Sequence, residues 1–273
     1  MDTERYRVQP GTTVDLADYP TDGADDPDDG FDGNKADAKE RNADLSARLG
    51  ELQELLHAMK AAKVLVVLQG MDTAGKDSTT KRVFDSVNPL GVRVATFTRP
   101  SDDELAHEYL WRVSSQTPRD GEIVVFNRSH YEDVLAVRVQ NLVPPERWER
   151  RYQHLVDFER RLVDEGTIVR KFFLHISKHE QKQRLEDRLT DPTKHWKFEH
   201  GDLASRAQWD EYQEAYRAML ERTSTEHAPW YVVPADRKWY RDLVVGTVLV
   251  ESLDALGMDW PEPADGLDGL VID

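Results

Sequence analysis

The sequence contains no cysteine, which excludes a disulfide scaffold, a thiolate metal site and a cysteine nucleophile. It also lacks any run close to the ~18 apolar residues that a membrane-spanning helix requires. Its first ten residues, MDTERYRVQP, have neither the basic flank nor the apolar stretch of a secretory signal. These absences predict a soluble, cytoplasmic protein that does not act in a membrane.

Positive charge is scarce as well, because 36 Lys and Arg residues face 52 Asp and Glu residues, for a formal net charge of −16. Such a field repels polyanions at long range, and nucleic-acid binding needs a basic surface. We therefore expect no nucleic-acid partner. Half of the excess lies in residues 1–40, where 12 acidic and 4 basic residues give −8. That segment can lie apart from a functional site.

The composition along the chain predicts three parts. Residues 21–32 contain six Asp, two Gly, one Pro and no basic residue, a composition that cannot bury enough apolar surface to offset the entropy of ordering. From Ala43 onward, apolar residues recur at helical spacing. We therefore predict an acidic, partly mobile extension over 1–42, with a short docked segment at 6–10. A folded domain over 43–260 and a tail over 261–273 follow.

Five apolar, β-branched stretches alternate with helix-like stretches. Continuous apolar runs suit central parallel strands that are covered on both faces. The pattern predicts an α/β fold of three layers, with a parallel sheet of about five strands and helices on both faces. The predicted strands are 64–68, 92–97, 123–126, 167–176 and 230–233. The predicted helices lie near 77–87, 102–116, 145–165, 178–189, 204–222 and 237–256.

A glycine-rich motif, Gly70-x4-Gly75-Lys76, lies between the first strand and the helix that follows it. This is the spacing of a phosphate-binding loop, in which glycines let successive N–H groups face one anion at a helix N-terminus. The alternative is an ordinary strand–turn–helix connection. We expect nucleotide and phosphate binding by the following residues of the motif: Thr73, Ala74, Gly75, Lys76, Asp77 and Ser78.

Two residues of this motif are unusual. Asp77 stands where most such loops have a Ser or Thr whose hydroxyl binds Mg²⁺, and Ser78 comes one place late. Asp72 places a carboxylate inside the loop, which would repel phosphates unless a cation lay between them. Asp72 therefore predicts a bound Mg²⁺. The alternative is that Asp72 only caps the loop through hydrogen bonds.

A second polar segment follows the strand at 123–126. In phosphate-loop enzymes a second strand often ends in an acid that holds the metal, but here the strand ends in the neutral Asn127. The acids Glu132 and Asp133 come five and six residues later. Arg128 can neutralise transferred phosphoryl charge, the alternative being a surface salt bridge. For His130 we expect plain hydrogen bonding, since Mg²⁺ prefers oxygen ligands.

Together these segments, Gly-Met-Asp-x-Ala-Gly-Lys-Asp and Phe-Asn-Arg-Ser-x-Tyr-Glu-Asp-Val-Leu, resemble the polyphosphate kinase 2 family. The resemblance extends over about residues 45–255. It implies a P-loop kinase-like fold with a helical lid at about 178–206. It also implies phosphoryl transfer between inorganic polyphosphate and nucleotides, dependent on Mg²⁺ with Mn²⁺ as a substitute. A homo-oligomer, dimer or tetramer, is implied too.

The same resemblance assigns roles to single residues. It implies catalytic roles for Asp72, Lys76 and Arg128, with Arg188 as the arginine of the lid. The segment around Glu132 resembles the subgroup that phosphorylates both AMP and ADP. We predict that Glu132 helps Asp72 to hold the metal. We place Asn127 with the nucleotide-binding residues, although many relatives have Asp there, which puts a metal ligand at that position in doubt.

The lid region, with seven Lys and Arg against six Asp and Glu, is nearly neutral, so its total charge does not explain binding of polyphosphate. We predict instead a local track of cations: Lys81, Arg82, Arg188, Lys194 and Lys197. For Arg184 we favour an ion pair with Glu180, four residues away on the helix. Two rival functions stay open, an ATP-dependent nucleoside or nucleotide monophosphate kinase and a non-catalytic nucleotide-binding domain.

Overall fold

Five parallel strands form one sheet in the order β2-β3-β1-β4-β5. The protein was analysed as a computed structural model, which describes residues 1–23, 31, 33–60 and 62–263. Each predicted apolar run forms one strand, so the predicted sheet is confirmed. The strands are β1 (Lys63–Gln69), β2 (Val92–Thr96), β3 (Ile123–Asn127), β4 (Thr167–His175) and β5 (Trp230–Pro234).

Helices cover both faces of this sheet, as predicted. Successive side chains of β4 point to opposite faces: Arg170 donates to Ser252 on one side, and Lys171 pairs with Glu159 on the other. The helices are α1 (Lys35–Met59), α2 (Lys76–Val83), α3 (Asp102–Ala106), α4 (Trp111–Ser114), α5 (Ala136–Val139), α6 (Pro145–Asp164), α7 (Lys178–Thr190), α8 (His200–Ala207), α9 (Trp209–Thr223) and α10 (Lys238–Asp254).

Three helices differ from their predicted bounds. Helix α1 starts at Lys35, where Asn34 and Asp37 form a capping box, so it crosses the predicted boundary at residue 42. Its first turns are mostly exposed and carry no apolar period, which is why the sequence did not mark them. The predicted helix 102–116 is two short helices, because the chain is extended at His107. The predicted helix 204–222 divides into α8 and α9 at Gln208.

The first residues of the chain pack on the sheet edge at β5. Arg7 forms a β-bridge with Tyr231, and the amide of Val8 donates to the carbonyl of Trp230 at 2.9 Å. Val8 and Val14 are buried in the core. The predicted docked segment is therefore confirmed. Most of the predicted acidic linker, 24–30 and 32, lies outside the described residues.

Over the part of the chain that the structure describes, no helix combines the length and apolar character needed to cross a bilayer.

Candidate functional site

The loop from Gly70 to Lys76 joins β1 to α2 at the carboxyl end of the sheet, where ligand sites of α/β folds lie. Gly70 has φ +150° and Gly75 has φ +111°, conformations that side chains rarely adopt. A Cβ atom at Gly70 would also lie 2.7 Å from the carbonyl of Leu174. The glycines of the motif are therefore required by the backbone, and the predicted strand–loop–helix is confirmed.

Lys76 spans this loop with its ammonium group. Nζ donates to the carbonyl of Gly70 at 2.7 Å and to that of Met71 at 3.3 Å. Burial lowers the pKa of Lys76 and the nearby Arg128 lowers it further, while Asp72 and Glu132 act in the opposite direction. Anionic phosphate would stabilise the charged ammonium in the same way as these carboxylates do, so the position suits an anion.

Arg128 and Asp72 form an ion pair beside the loop. Nη2 of Arg128 donates to Oδ1 of Asp72 at 3.0 Å. Burial acts to lower the pKa of Arg128, but Glu132 and Asp72 raise it above its ordinary value. We refer to Asp72, Lys76, Arg128 and Glu132 as the loop cluster. The structure thus brings together four of the five residues predicted to be catalytic.

The backbone of Arg128 is itself unusual, with φ +62° in a residue that has a full side chain. Such a conformation costs about 1–3 kcal/mol, and residues of this kind cluster at functional sites. Among the described residues, the Asp72 carboxylate accepts a hydrogen bond from Arg128 and from no amide of the loop. Asp72 therefore does not cap the loop, which was the alternative interpretation.

Asp77 in the first turn of α2 and Asn127 at the end of β3 are hydrogen-bonded to each other. Nδ2 of Asn127 donates to Oδ1 of Asp77 at 2.6 Å. This hydrogen bond joins the end of β3 to the first turn of α2 beside the glycine-rich loop. The hydroxyl of Ser78 is hydrogen-bonded within the protein: it donates to the carbonyl of Gly75 at 2.9 Å and accepts from Arg241 at 3.0 Å.

Arg184 has a structural role that the sequence did not reveal. Its predicted ion pair with Glu180 is confirmed, with Nε to Oε1 at 2.8 Å. Its Nη1 also donates to the carbonyls of Thr73 and Ala74 at 2.9 and 3.2 Å. Its Nη2 donates to those of Ala235 and Asp236 at 2.7 and 2.8 Å. Arg184 therefore joins α7 to the glycine-rich loop and to the end of β5.

The five cations predicted to bind polyphosphate fall into two groups. Arg188 of α7 donates to the carbonyl of Lys197 at 2.8 Å and to Asp202 at 3.0 Å. Lys194 pairs with Asp191 at 2.9 Å, and Nζ of Lys197 lies 5.0 Å from the ring centre of the exposed Trp196. The second group, Lys81 and Arg82, lines a groove between α1, α2 and α10.

A tyrosine of α9 also belongs to the site. Tyr216 is buried, and the centre of its ring lies 4.6 Å from that of Phe173. Burial raises the pKa of Tyr216 well above its ordinary value, and Glu132 and Asp72 raise it further. The hydroxyl therefore stays protonated beside two carboxylates. Helical periodicity alone could not separate this position from other core aromatics.

Behind the loop cluster lies a fully buried network of polar side chains. His130 contacts Glu159 at 3.1 Å, as expected for plain hydrogen bonding. Lys171 Nζ donates to Glu159 at 2.6 Å, to the Tyr131 hydroxyl at 2.9 Å and to the Thr223 carbonyl at 2.7 Å. We call His130, Tyr131, Glu159 and Lys171 the buried network.

The site offers a limited set of oxygen ligands for a metal. Across the described residues, no group of three or more His, Asp or Glu side chains is arranged to hold a metal ion. The loop cluster supplies two carboxylates, Asp72 and Glu132, and both act to raise the pKa of Lys76 and of Arg128. Mg²⁺ is commonly bound by one or two carboxylates together with substrate phosphates and water, so this pair fits the donor set.

Comparison with known proteins agrees with these observations. The sequence matches the family model of polyphosphate kinase 2 over residues 32–259. It is 56% identical over 270 residues to an AMP/ADP-polyphosphate phosphotransferase of Meiothermus ruber, covering 99% of this chain and 100% of the relative. It is 41% identical to an ADP-polyphosphate phosphotransferase of Rhodopseudomonas palustris, covering 95% and 92%.

A solved structure shows the same fold. The crystal structure of polyphosphate kinase 2 from Arthrobacter aurescens TC1 superposes with a TM-score of 0.89 at 45% sequence identity, covering 94% of this chain and 91% of the other. The family match spans the whole sheet, the loop cluster and the lid helices. The chain therefore belongs to the polyphosphate kinase 2 family.

Proposed function

We propose that this protein transfers a phosphoryl group from inorganic polyphosphate to AMP and to ADP, forming ADP and ATP, with GMP and GDP as further acceptors. The observation that carries the proposal is the loop cluster, in which Lys76 and Arg128 face the carboxylates of Asp72 and Glu132. The relative at 56% identity is an AMP/ADP-polyphosphate phosphotransferase, which supports both acceptors.

The chemistry needs positioning and charge neutralisation more than a strong base, because a nucleotide phosphate is already ionised near pH 7. Lys76 and the amides of the glycine-rich loop hold the phosphates of the acceptor. Arg128 neutralises charge on the oxygens of the phosphoryl group in transit. Arg188, one helical turn beyond Arg184 on α7, serves the same purpose from the lid.

Asp72 and Glu132 would hold Mg²⁺, or Mn²⁺ in its place, which when bound neutralises the oxygens of donor and acceptor phosphates. Treatment with EDTA should abolish turnover, and added Mg²⁺ or Mn²⁺ should restore it. Turnover that survives complete removal of divalent cations would contradict this part of the proposal.

A dimer or tetramer is also proposed, and sedimentation velocity of the full chain would measure the oligomeric state.

Glu132 is proposed to favour the monophosphate as acceptor. The relatives differ in the same respect, since one is named for AMP and ADP and the other for ADP. Replacing Glu132→Gln should reduce kcat/KM for AMP more than kcat/KM for ADP. Equal losses for the two acceptors would assign Glu132 to the common chemistry and not to acceptor choice.

The decisive experiment supplies the purified protein with Mg²⁺, AMP and polyphosphate, with ATP absent. Appearance of ADP followed by ATP would establish the donor and both acceptors. Conversion of added ADP alone would support polyphosphate as the donor and exclude AMP as an acceptor. If neither is converted but ATP phosphorylates a nucleoside or a monophosphate, the rival kinase is correct. Nucleotide binding without any turnover would favour the non-catalytic domain.

A further inference from the structure

Asp236, two residues after the end of β5, connects separate parts of the chain. Its Oδ1 accepts a hydrogen bond from the amide of Ser177 at 2.8 Å, and its Oδ2 accepts one from the hydroxyl of Thr21 at 2.8 Å. Its own amide donates to the carbonyl of Thr21 at 3.0 Å. Its carbonyl accepts from Nη2 of Arg184 at 2.8 Å. Both carboxylate oxygens and both backbone groups are therefore in use.

The contact with Ser177 fixes the beginning of α7. Ser177 is the N-cap of this helix, and its hydroxyl accepts from the amide of Glu180 at 3.0 Å. Two turns later Arg184 holds the same helix to the carbonyls of Thr73 and Ala74. Helix α7 is thus held to the glycine-rich loop and to the end of β5 before it reaches Arg188.

The contact with Thr21 belongs to the docked N-terminal segment, residues 1–23. Upstream, Val8 is held on both backbone groups, by the carbonyl of Trp230 at 2.9 Å and by the hydroxyl of Ser224 at 2.6 Å. The amide of Val14 donates to Glu221 at 2.9 Å. A segment held at these points presents Thr21 to Asp236 from a fixed position.

We propose that the N-terminal segment positions the lid, with Thr21 and Asp236 as positioning residues that act through α7 on Arg188. The inference rests on the proposed function of Arg188. Neither residue touches the reacting phosphates. Thr21 steadies the Asp236 carboxylate, Asp236 holds the start of α7, and Arg188 lies four residues beyond Arg184 on the same helical face.

The test uses two matched threonine variants. Thr21→Val removes the hydroxyl that reaches Asp236 but keeps the shape of the side chain. Thr12→Val is the control, because the hydroxyl of Thr12 lies in the same segment and donates only to the nearby carbonyl of Gln9 at 2.7 Å. One hydrogen bond to a charged group corresponds to a change of roughly 10-fold in an equilibrium constant. We expect kcat to fall about 3- to 10-fold in Thr21→Val and to stay unchanged in Thr12→Val.

A double-mutant cycle shows whether Thr21 acts through Arg188. In an Arg188→Ala background, Thr21→Val should lower kcat no further. Asp236→Ala should lower kcat at least as much as Thr21→Val, because it removes the hold on Ser177 as well. Asp236→Asn should largely rescue kcat, because an amide can accept from the Ser177 amide and donate to the Thr21 hydroxyl.

Hydrogen exchange of the amides over 177–190, measured without substrate, completes the test. Faster exchange at the start of α7 in Thr21→Val than in Thr12→Val, together with non-additive kcat changes, supports the proposal. Equal exchange in the two variants, or the same loss of kcat with and without Arg188, overturns it. If polyphosphate is not the donor, the proposed function fails, and the exchange rates alone decide whether the N-terminal segment positions α7.

Discussion

The loop cluster and the buried network both include residues of the short turn 128–132, but their charged side chains differ in burial and in hydrogen bonding. Of the residues in this turn, Arg128 and Glu132 belong to the loop cluster, whereas His130 and Tyr131 belong to the buried network. Lys171 of the buried network is fully buried and donates to three partners, which matches the three N–H groups of an ammonium. Arg128 is 45% exposed and makes one side-chain hydrogen bond to a described residue.

This difference separates a structural cluster from a binding one. An ion pair whose donors are all satisfied has nothing left to offer a ligand, and its members are held by their mutual attraction at low dielectric. A guanidinium carries five N–H donors, so Arg128 retains several for phosphate oxygens. The unused donors of Arg128, more than the presence of charge, support the proposal that the loop cluster is the site of chemistry.

The largest expected effect is the loss of activity on replacing Arg128. Arg128→Ala should lower kcat by roughly 10³-fold or more, because an arginine that stabilises the phosphoryl group in transit contributes on this order. Its effect on the midpoint of thermal unfolding should be small. The measurement is steady-state turnover with polyphosphate and AMP or ADP, with differential scanning calorimetry alongside.

The control for this variant is Arg48→Ala on α1. Arg48 is also 45% exposed and pairs with Asp254 at 2.7 Å, but it lies outside the loop cluster. It should leave kcat unchanged. If both replacements lowered kcat alike, or if Arg128→Ala unfolded the protein, Arg128 would be a structural residue and the comparison between the two clusters would fail.

The second effect concerns stability. Lys171→Met should lower the free energy of unfolding by about 3–5 kcal/mol, because it leaves the carboxylate of Glu159 buried without its cation. Burial would raise the pKa of Glu159, but Lys171 and His130 hold it below its ordinary value. Urea denaturation followed by circular dichroism would measure the change.

Lys63→Met provides the matched comparison. Lys63 begins β1 and pairs with the exposed Asp120 at 2.9 Å, so its replacement should cost no more than about 1 kcal/mol. Adding Glu159→Gln to Lys171→Met should recover part of the lost stability, because it removes the unpaired charge. Similar losses for the Lys63 and Lys171 variants would show that burial does not distinguish the two ion pairs.

The sequence predicted the sheet and the loop well because their signals are local. Five apolar runs marked five strands, and the glycine spacing marked the turn between β1 and α2. Pairing of Asn127 with Asp77 could not be read in the same way, because it depends on which strand ends lie side by side. The role of Arg184 was missed for a similar reason, since its carbonyl partners are distant in sequence.

The same limit explains the errors in the bounds of the helices. Helix α1 extends back to Lys35 through exposed residues that carry no apolar period, so only its cap at Asn34 could have marked its start. Composition predicted an acidic extension over 1–42, within which residues 6–10 were expected to dock. Few apolar side chains, Val8 and Val14 among them, suffice to dock that segment against the edge of β5.

A third effect is the pH dependence of the buried network. Burial lowers the pKa of His130, although Glu159 opposes this. The unfolded chain therefore takes up a proton near pH 6.5, where the folded chain does not, so stability falls as the pH drops below that value. The loss is at most about 1.4 kcal/mol per pH unit. His130→Gln, whose amide can donate to Glu159, should flatten the dependence between pH 6.5 and 5.

Urea denaturation at several pH values would measure this difference. His175 stays in the variant, and because burial lowers its pKa too, part of the slope should remain. An unchanged slope in His130→Gln would mean that His130 titrates alike in the folded and unfolded chains.

The smallest expected effect concerns the exposed cations of the lid, which belong to neither cluster. Lys194→Gln should leave the free energy of unfolding nearly unchanged, because its ion pair with Asp191 is exposed. If Lys194 contacts polyphosphate, its removal should raise KM for polyphosphate a few-fold and reduce the salt dependence of binding by roughly one unit in the log–log slope. Lys182→Gln on α7, where Lys182 pairs with Glu186, is the control and should alter neither quantity. Equal behaviour of the two variants would remove Lys194 from the track and leave polyphosphate binding to its other four cations.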